Sequence, residues 1–145
     1  MAYSGIYKPQ NPEKYRGNPC RIIYRSLWER KFMNFCDKNP SIIEWGSEEV
    51  IIPYRCPTDG RVHRYYPDFY MKVKNKSGKT SKYIIEIKPK KQTKAPDLKP
   101  KRKTAAWKRS VNTYMKNCAK WRAAQEYCDD RMMKFMLLTE DHLAV

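Results

Sequence analysis

In Tyr66-Pro67-Asp68-Phe69-Tyr70 one carboxylate sits in an aromatic, β-forming stretch, and eighteen residues later Glu86-Ile87-Lys88 presents a carboxylate and an ammonium two positions apart. Alternate residues of a strand share a face, so Glu86 and Lys88 project together while Ile85 and Ile87 turn the other way, into a core. A charged pair on rigid backbone above an apolar layer is how a site is held in place. Two carboxylates on neighbouring strands can share one Mg²⁺, which prefers oxygen ligands and keeps waters for a phosphate and a nucleophile. An ion so held polarises a phosphodiester and acidifies its bound water. Lys88 can then orient that water or offset charge building on the phosphate.

Met singly, each residue has a plainer use. Asp68 after a proline suits a turn, and Glu86 with Lys88 suits solvated cross-strand charges. Glu29 lies three residues after Ser26, which is the S-x-x-E pattern of a capping box. His63, five residues before Asp68, falls on the opposite face by parity and suits a surface or packing role.

The elements that must position these groups follow from pattern. Residues 1–24, with Pro9, Pro12, Gly17 and Pro19, show no period and read as an extended arm that lies over the core or grips a partner. Trp28, Phe32, Phe35 and Cys36 recur on one helical face over 27–38, and Asn39-Pro40 ends the run. Residues 48–55 read as a strand leading to the turn Pro57-Thr58-Asp59-Gly60. Residues 62–73 read as its partner, with Pro67 at an edge or bulge. After a turn at 75–79, residues 83–88 complete a three-stranded antiparallel meander.

Residues 89–103 shift to Lys, Pro and Thr and read as a solvated loop or basic flap. From Thr104 to Asp129, Trp107, Val111, Tyr114, Cys118, Trp121, Gln125 and Cys128 step by four and three, the amphipathic spacing of a long helix, with the polar Gln125 as the exception. Packing on the sheet suits it better than a coiled coil, because branched aliphatics are few. Met132 to Leu138 reads as a last, buried strand. The expected fold is therefore a mixed α/β (α+β) one in a single domain, 1–145, with the order helix, three strands, helix, strand and a sheet flanked by helices.

The chain carries 31 Lys and Arg against 15 Asp and Glu, a formal charge of +16, and such a field favours a polyanion, above all nucleic acid. No segment pairs a basic face with a Leu- and Phe-rich one, no apolar run is long enough to span a bilayer, and no signal peptide is visible, so no membrane partner and a cytoplasmic start are expected. Five widely spaced cysteines without a CxxC pair argue against a disulfide framework or a zinc finger, and read as reduced packing residues.

Pro67-Asp68 followed by Glu86-Ile87-Lys88 resembles the PD-(D/E)xK motif of restriction-endonuclease-like nucleases, and the expected element order resembles their common core. Ser26-Leu27-Trp28-Glu29-Arg30 is similar to the extra acidic position of that superfamily. The resemblance covers roughly residues 20–140. More narrowly, Tyr24-Arg25-Ser26-x-Trp28-Glu29, Ile43-Glu44-Trp45, Tyr66-Pro67-Asp68-Phe69 and Ile85-Glu86-Ile87-Lys88-Pro89 resemble the head completion nucleases of large tailed phages and the TnsA-type transposase endonuclease subunit. In some of the latter Gln stands where this chain has Glu86.

The resemblance implies a catalytic set of Glu29, Asp68, Glu86 and Lys88. It implies that Asp68 and Glu86 hold Mg²⁺, with Mn²⁺ able to substitute, that the Ile87 backbone carbonyl is a third ligand, and that Glu29 serves a second metal or positions water. The implied reaction is DNA phosphodiester hydrolysis in the host cytoplasm or in association with the virion, with capsid vertex, portal or neck proteins as partners. Arg25, Lys90, Lys91, Lys94, Lys99, Lys101, Arg102 and Lys103 then become candidate contacts to the DNA backbone, against the plainer reading of a solvated charge run. With no reader domain, little sequence preference is expected. The alternatives are a DNA-binding structural virion protein with a vestigial site, or a TnsA-like transposase subunit.

Overall fold

A computed structural model describes residues 4–97 and 99–143. Its centre is a four-stranded mixed sheet of β3 (Ile42–Ser47), β6 (Phe69–Lys74), β7 (Thr80–Ile87) and β8 (Lys134–Leu138), in the order β3-β6-β7-β8. The first three strands are antiparallel, with Phe69 opposite Ile85. β8 runs parallel to β7, which demands a long crossover; helix α2 (Ala105–Asp130) provides it. Helix α1 (Leu27–Lys38) precedes the sheet, and a short α3 (Glu140–Leu143) follows it. Counted along this sheet, the order is helix, three strands, helix, strand, as the sequence suggests.

The meander itself is corrected. Residues 48–55 do not form the first strand of the main sheet; that place belongs to β3. Instead β4 (Ile52–Arg55) and β5 (Val62–Tyr65) make a separate two-stranded sheet. The stretch 62–73 is therefore two strands in two sheets, broken at Tyr66-Pro67-Asp68. Pro67 is fully buried at the break, where its missing N–H leaves no ladder bond unmade.

Apolar residues pack on both faces of the sheet. Phe32, Met33 and Cys36 of α1 meet Ile42, Trp45, Phe69, Ile85 and Ile87 on one side. On the other, Tyr70 and Ile84 meet Cys128 of α2. The β4–β5 hairpin lies on this second side, with Ile52, Tyr54, Cys56 and Tyr65 against Ala124. The face that carries Glu86 is thus roofed by α2 and the hairpin rather than open.

Of the two uses expected of the arm, it takes the first and lies over the core, while the expectations for α2 and β8 change. The extended arm is a fastened layer: β1 (Gly5–Tyr7) pairs with β2 (Ile22–Tyr24). Buried Asp37 accepts from the Tyr7 hydroxyl and from the Gln10 and Asn11 amides at 2.8–3.1 Å. The Lys14 ammonium donates to the carbonyls of Cys36, Asp37 and Asn39, closing the C-terminal end of α1. In α2 the buried positions are Asn117, Ala124 and Cys128, and Gln125 is exposed. A strict 4-3 repeat drifts about 20° per heptad around a straight helix, so the inward face passes to Ala124 and the polar exception disappears. Finally, β8 is an edge strand and only half-buried.

Candidate active site

β6 and β7 bring the motif together at one end of the sheet. Extending their register by one residue from Phe69↔Ile85 sets Asp68 opposite Glu86. The Asp68 carboxylate accepts the Ile87 amide at 2.7 Å, and its carbonyl accepts the Glu48 amide at 3.1 Å. Glu48 makes that bond from a left-handed backbone, φ 55°, so a strained residue just past β3 is spent on fixing Asp68. Glu86 is 4% exposed. Buried Tyr65, at the end of β5, donates its hydroxyl to the Glu86 carboxylate.

The electrostatics are those of two carboxylates crowded out of water. Burial first, then the Glu86 charge and a hydrogen bond shared with it, push the Asp68 carboxyl up to about 8; the Ile87 amide and the Lys88 ammonium oppose the shift only in part. Burial and the Glu86 charge raise the Tyr65 phenol far above its ordinary value, which keeps it a donor. Two buried carboxylates that crowd one another in this way are the setting a bound cation would relieve. The donor set fits a hard divalent ion: carboxylate oxygens of Asp68 and Glu86 with backbone oxygen beside them.

An open cleft of about 290 Å³ gives access to the pair and is lined by Arg64, Tyr66, Asp68, Glu86, Lys88, Asn117 and Lys120. Three cationic side chains thus surround two carboxylates. Lys120 lies 5.8 Å from the Tyr65 ring centre and 5.9 Å from that of Tyr54, so hairpin aromatics hold it over the site. Arg64, Tyr65, Asn117 and Lys120 escape sequence reasoning. The one available signal is helical spacing, since Asn117, Lys120 and Ala124 at i, i+3 and i+7 share a face of α2.

Glu29 sits at the first turn of α1, where Ser26 caps the helix: its hydroxyl accepts the Glu29 amide at 3.1 Å and donates to the Glu29 carboxylate at 3.2 Å. The Ser26 cap is therefore formed, while the Glu29 carboxylate returns to the Ser26 hydroxyl rather than to its backbone N–H, so the box is made only in part. Burial and then the Asp68 charge also raise the Glu29 carboxyl, so it belongs to the same electrostatic cluster. It does not join Asp68 and Glu86 in a group whose ligand atoms all lie within 4.8 Å of one another. Arg25, beside it, ion-pairs with Glu48 at 2.6 Å.

Among the described residues the basic segment is fastened at two points. Lys90 donates its amide to Glu140 at 2.9 Å and its ammonium to Asp141 at 3.0 Å. Trp107 of α2 donates its indole N–H to the Asp97 carbonyl at 2.6 Å. Lys91, Lys94, Lys99, Lys101, Arg102 and Lys103 remain exposed. His63 is on the surface, paired with Asp59.

Two comparisons bear on this geometry. The family model of the TnsA-like endonuclease N terminal matches residues 39–140, which takes in Asp68, Glu86 and Lys88 and leaves Glu29 outside. The head completion nuclease of Enterobacteria phage T4 is 49% identical over 146 aligned positions, covering 99% of this chain and 95% of the relative. The Asp68, Glu86 and Lys88 arrangement and the α1-β3-β6-β7-α2-β8 core agree with a restriction-endonuclease-like nuclease of the PD-(D/E)xK type, and the chain belongs to the TnsA-like endonuclease family.

Proposed function

We propose that this chain is a divalent-metal-dependent DNA endonuclease that hydrolyses phosphodiester bonds with little sequence preference and acts in phage head completion. One observation carries the reading: Asp68 and Glu86 face each other beside Lys88 in a cleft rimmed by Arg64 and Lys120. Asp68 and Glu86 would hold the ion, with the Ile87 carbonyl as a further oxygen ligand and Glu29 serving a second ion or a water. When bound, Mg²⁺ there, or Mn²⁺ in its place, would polarise the phosphate and acidify a water.

The chain's own groups do the rest. The Tyr65 hydroxyl and the Ile87 amide lock the two carboxylates in one orientation, which limits reorganisation during the reaction. Lys88 orients the attacking water or offsets charge on the phosphate, while Arg64 and Lys120 neutralise the flanking phosphates. Lys91, Lys94, Lys99, Lys101, Arg102 and Lys103 extend that contact along the duplex, with Arg25 and Lys90 contributing less because Glu48 and Asp141 engage them. All of these groups address phosphate, and phosphate contacts carry no sequence information.

The near whole-length similarity to a head completion nuclease favours a role in head completion over that of a transposase subunit, and the partners proposed with that role are capsid vertex, portal or neck proteins. A structural virion protein with a vestigial site is disfavoured because Asp68, Glu86 and Lys88 are all present. The test is cleavage of plasmids of unrelated sequence, of linear duplex with protruding ends, and of RNA, with Mg²⁺ and with chelator. The proposal expects metal-dependent cutting of every DNA without a fixed pattern. Cutting at one short sequence, cutting of RNA alone, or undiminished cutting in chelator would contradict it.

A further inference from the structure

Away from the cleft, the turn that joins β4 to β5 gathers three side chains of different chemistry. Cys56, Asp59 and His63 each offer one ligand atom, and these atoms all lie within 4.8 Å of one another. Donors bound at 2.0–2.3 Å around a tetrahedral ion stand ~3.3–3.8 Å apart. Closing the set would draw the donors furthest apart together by ~1–1.5 Å at most and part the hydrogen-bonded Asp59–His63 pair, now 2.7 Å apart, by ~0.6 Å or more, and both of those side chains are exposed.

Local contacts bring each donor to the turn. The Asp59 carboxylate spends one oxygen on the Arg61 amide at 2.9 Å and points the other at His63 Nε2, 2.7 Å away. The His63 ring packs against Tyr54 with centroids 5.9 Å apart, which fixes its plane. Cys56 is 2% exposed and forms the floor, with its sulfur 3.1 Å from the Thr58 hydroxyl. Gly60 closes the turn at φ +71° with nothing crowding it.

We propose that Cys56, Asp59 and His63 form a second metal site, selective for a borderline-soft divalent ion such as Zn²⁺, with water completing a tetrahedron. Thiolate and imidazole select Zn²⁺ over Mg²⁺, so this site and the all-oxygen cleft take different ions. Binding releases the thiol proton of Cys56 to solvent and leaves every oxidation state unchanged. The ion staples the tip of the hairpin whose other end, through Tyr65, donates to Glu86. The proposal does not depend on how the cleft works.

Co²⁺ added to the whole protein under reducing conditions provides the readout, because a cysteine-bound Co²⁺ shows a sulfur-to-metal charge-transfer band that the oxygen ligands of the cleft cannot produce. The parent should develop that band with about one equivalent of Co²⁺ and lose it when Zn²⁺ is added. Cys56→Ser should abolish it, and His63→Ala and Asp59→Asn should weaken it, each checked for native circular dichroism. Cys20→Ser, which changes the exposed cysteine, and Asp68→Ala should leave it intact. No band in the parent, a band that survives Cys56→Ser, or one removed by Cys20→Ser overturns the proposal. Should Cys56→Ser fail to fold, His63→Ala decides: an unchanged band in that variant also overturns it.

Discussion

Replacing Asp68 by Asn should abolish cleavage and yet make the metal-free protein more stable at neutral pH. Asp68 has an ordinary value of 3.8 and is pushed up to about 8 in the fold. Between those values the native state holds a proton that the unfolded chain has lost, so stability falls as pH rises across that window. Going from pH 5 to pH 7 therefore costs the parent up to about 3 kcal/mol that the Asn variant does not lose. Asp68 is half-buried, and screening by water should reduce this to about 1–2 kcal/mol.

For a chain of this length that is roughly 2–8 °C in Tm. The Ile87 amide keeps an acceptor, because an Asn side chain offers its own carbonyl oxygen. Thermal melts of parent and Asp68→Asn in chelator at pH 5 and pH 7 read the difference, which should widen with pH in favour of the variant. A gap that is constant, or that narrows, would refute the claim that burial and Glu86 crowd this carboxylate. Mg²⁺ added at pH 7 should raise the Tm of the parent and leave the variant unmoved.

Other outcomes follow from the same geometry. Tyr65→Phe removes the donor that orients Glu86, a hydrogen bond to a charged group worth about 1.5–3 kcal/mol; single-turnover cleavage should slow by roughly tenfold or more with DNA affinity little changed, and an unaltered rate would show that Tyr65 does not position Glu86. Asp37→Ala strips the acceptor from the Tyr7 hydroxyl and the Gln10 and Asn11 amides, at a cost of about 3 kcal/mol. Limited proteolysis should then cut within residues 4–24 at protease levels that spare the parent, and equal resistance would contradict the fastened arm. Neutralising Lys91, Lys94, Lys99, Lys101 and Lys103 should flatten the salt dependence of DNA binding by ~0.9 for each phosphate that is no longer neutralised. Lys90→Ala should change that slope least, because Asp141 already occupies its ammonium.

The site is legible in the sequence wherever it depends on neighbours along one strand. Glu86 and Lys88 share a face by the two-residue period, and the pairing with Asp68 needs only the turn at 75–79 to set the register. Groups brought in from remote elements leave no such mark. Tyr65 reaches Glu86 because the chain breaks at buried Pro67 and changes sheets, and the continuous β-forming stretch 62–73 conceals that break. Lys120 and Asn117 face the cleft because α2 keeps its own 3.6-residue pitch and not the 4-3 seam. Which of its two expected uses the arm takes is not legible, because its order comes from Asp37 and Lys14, polar contacts across 22 to 30 residues, and hydrophobic periodicity carries no trace of them. Glu29 shows two uses of one residue: the cap is formed, and the same carboxylate lies in the field of Asp68.

The central claim is that Asp68, Glu86 and Lys88 perform metal-dependent cleavage of DNA. Its most direct test is nicking of supercoiled plasmid by the parent protein, Asp68→Ala and Lys88→Ala, each with Mg²⁺, with Mn²⁺ and with chelator. Cleavage by the parent in either metal, none in chelator, and loss of activity in both variants while they still fold and bind DNA is the expected result. Cleavage that persists in both variants would contradict the assignment.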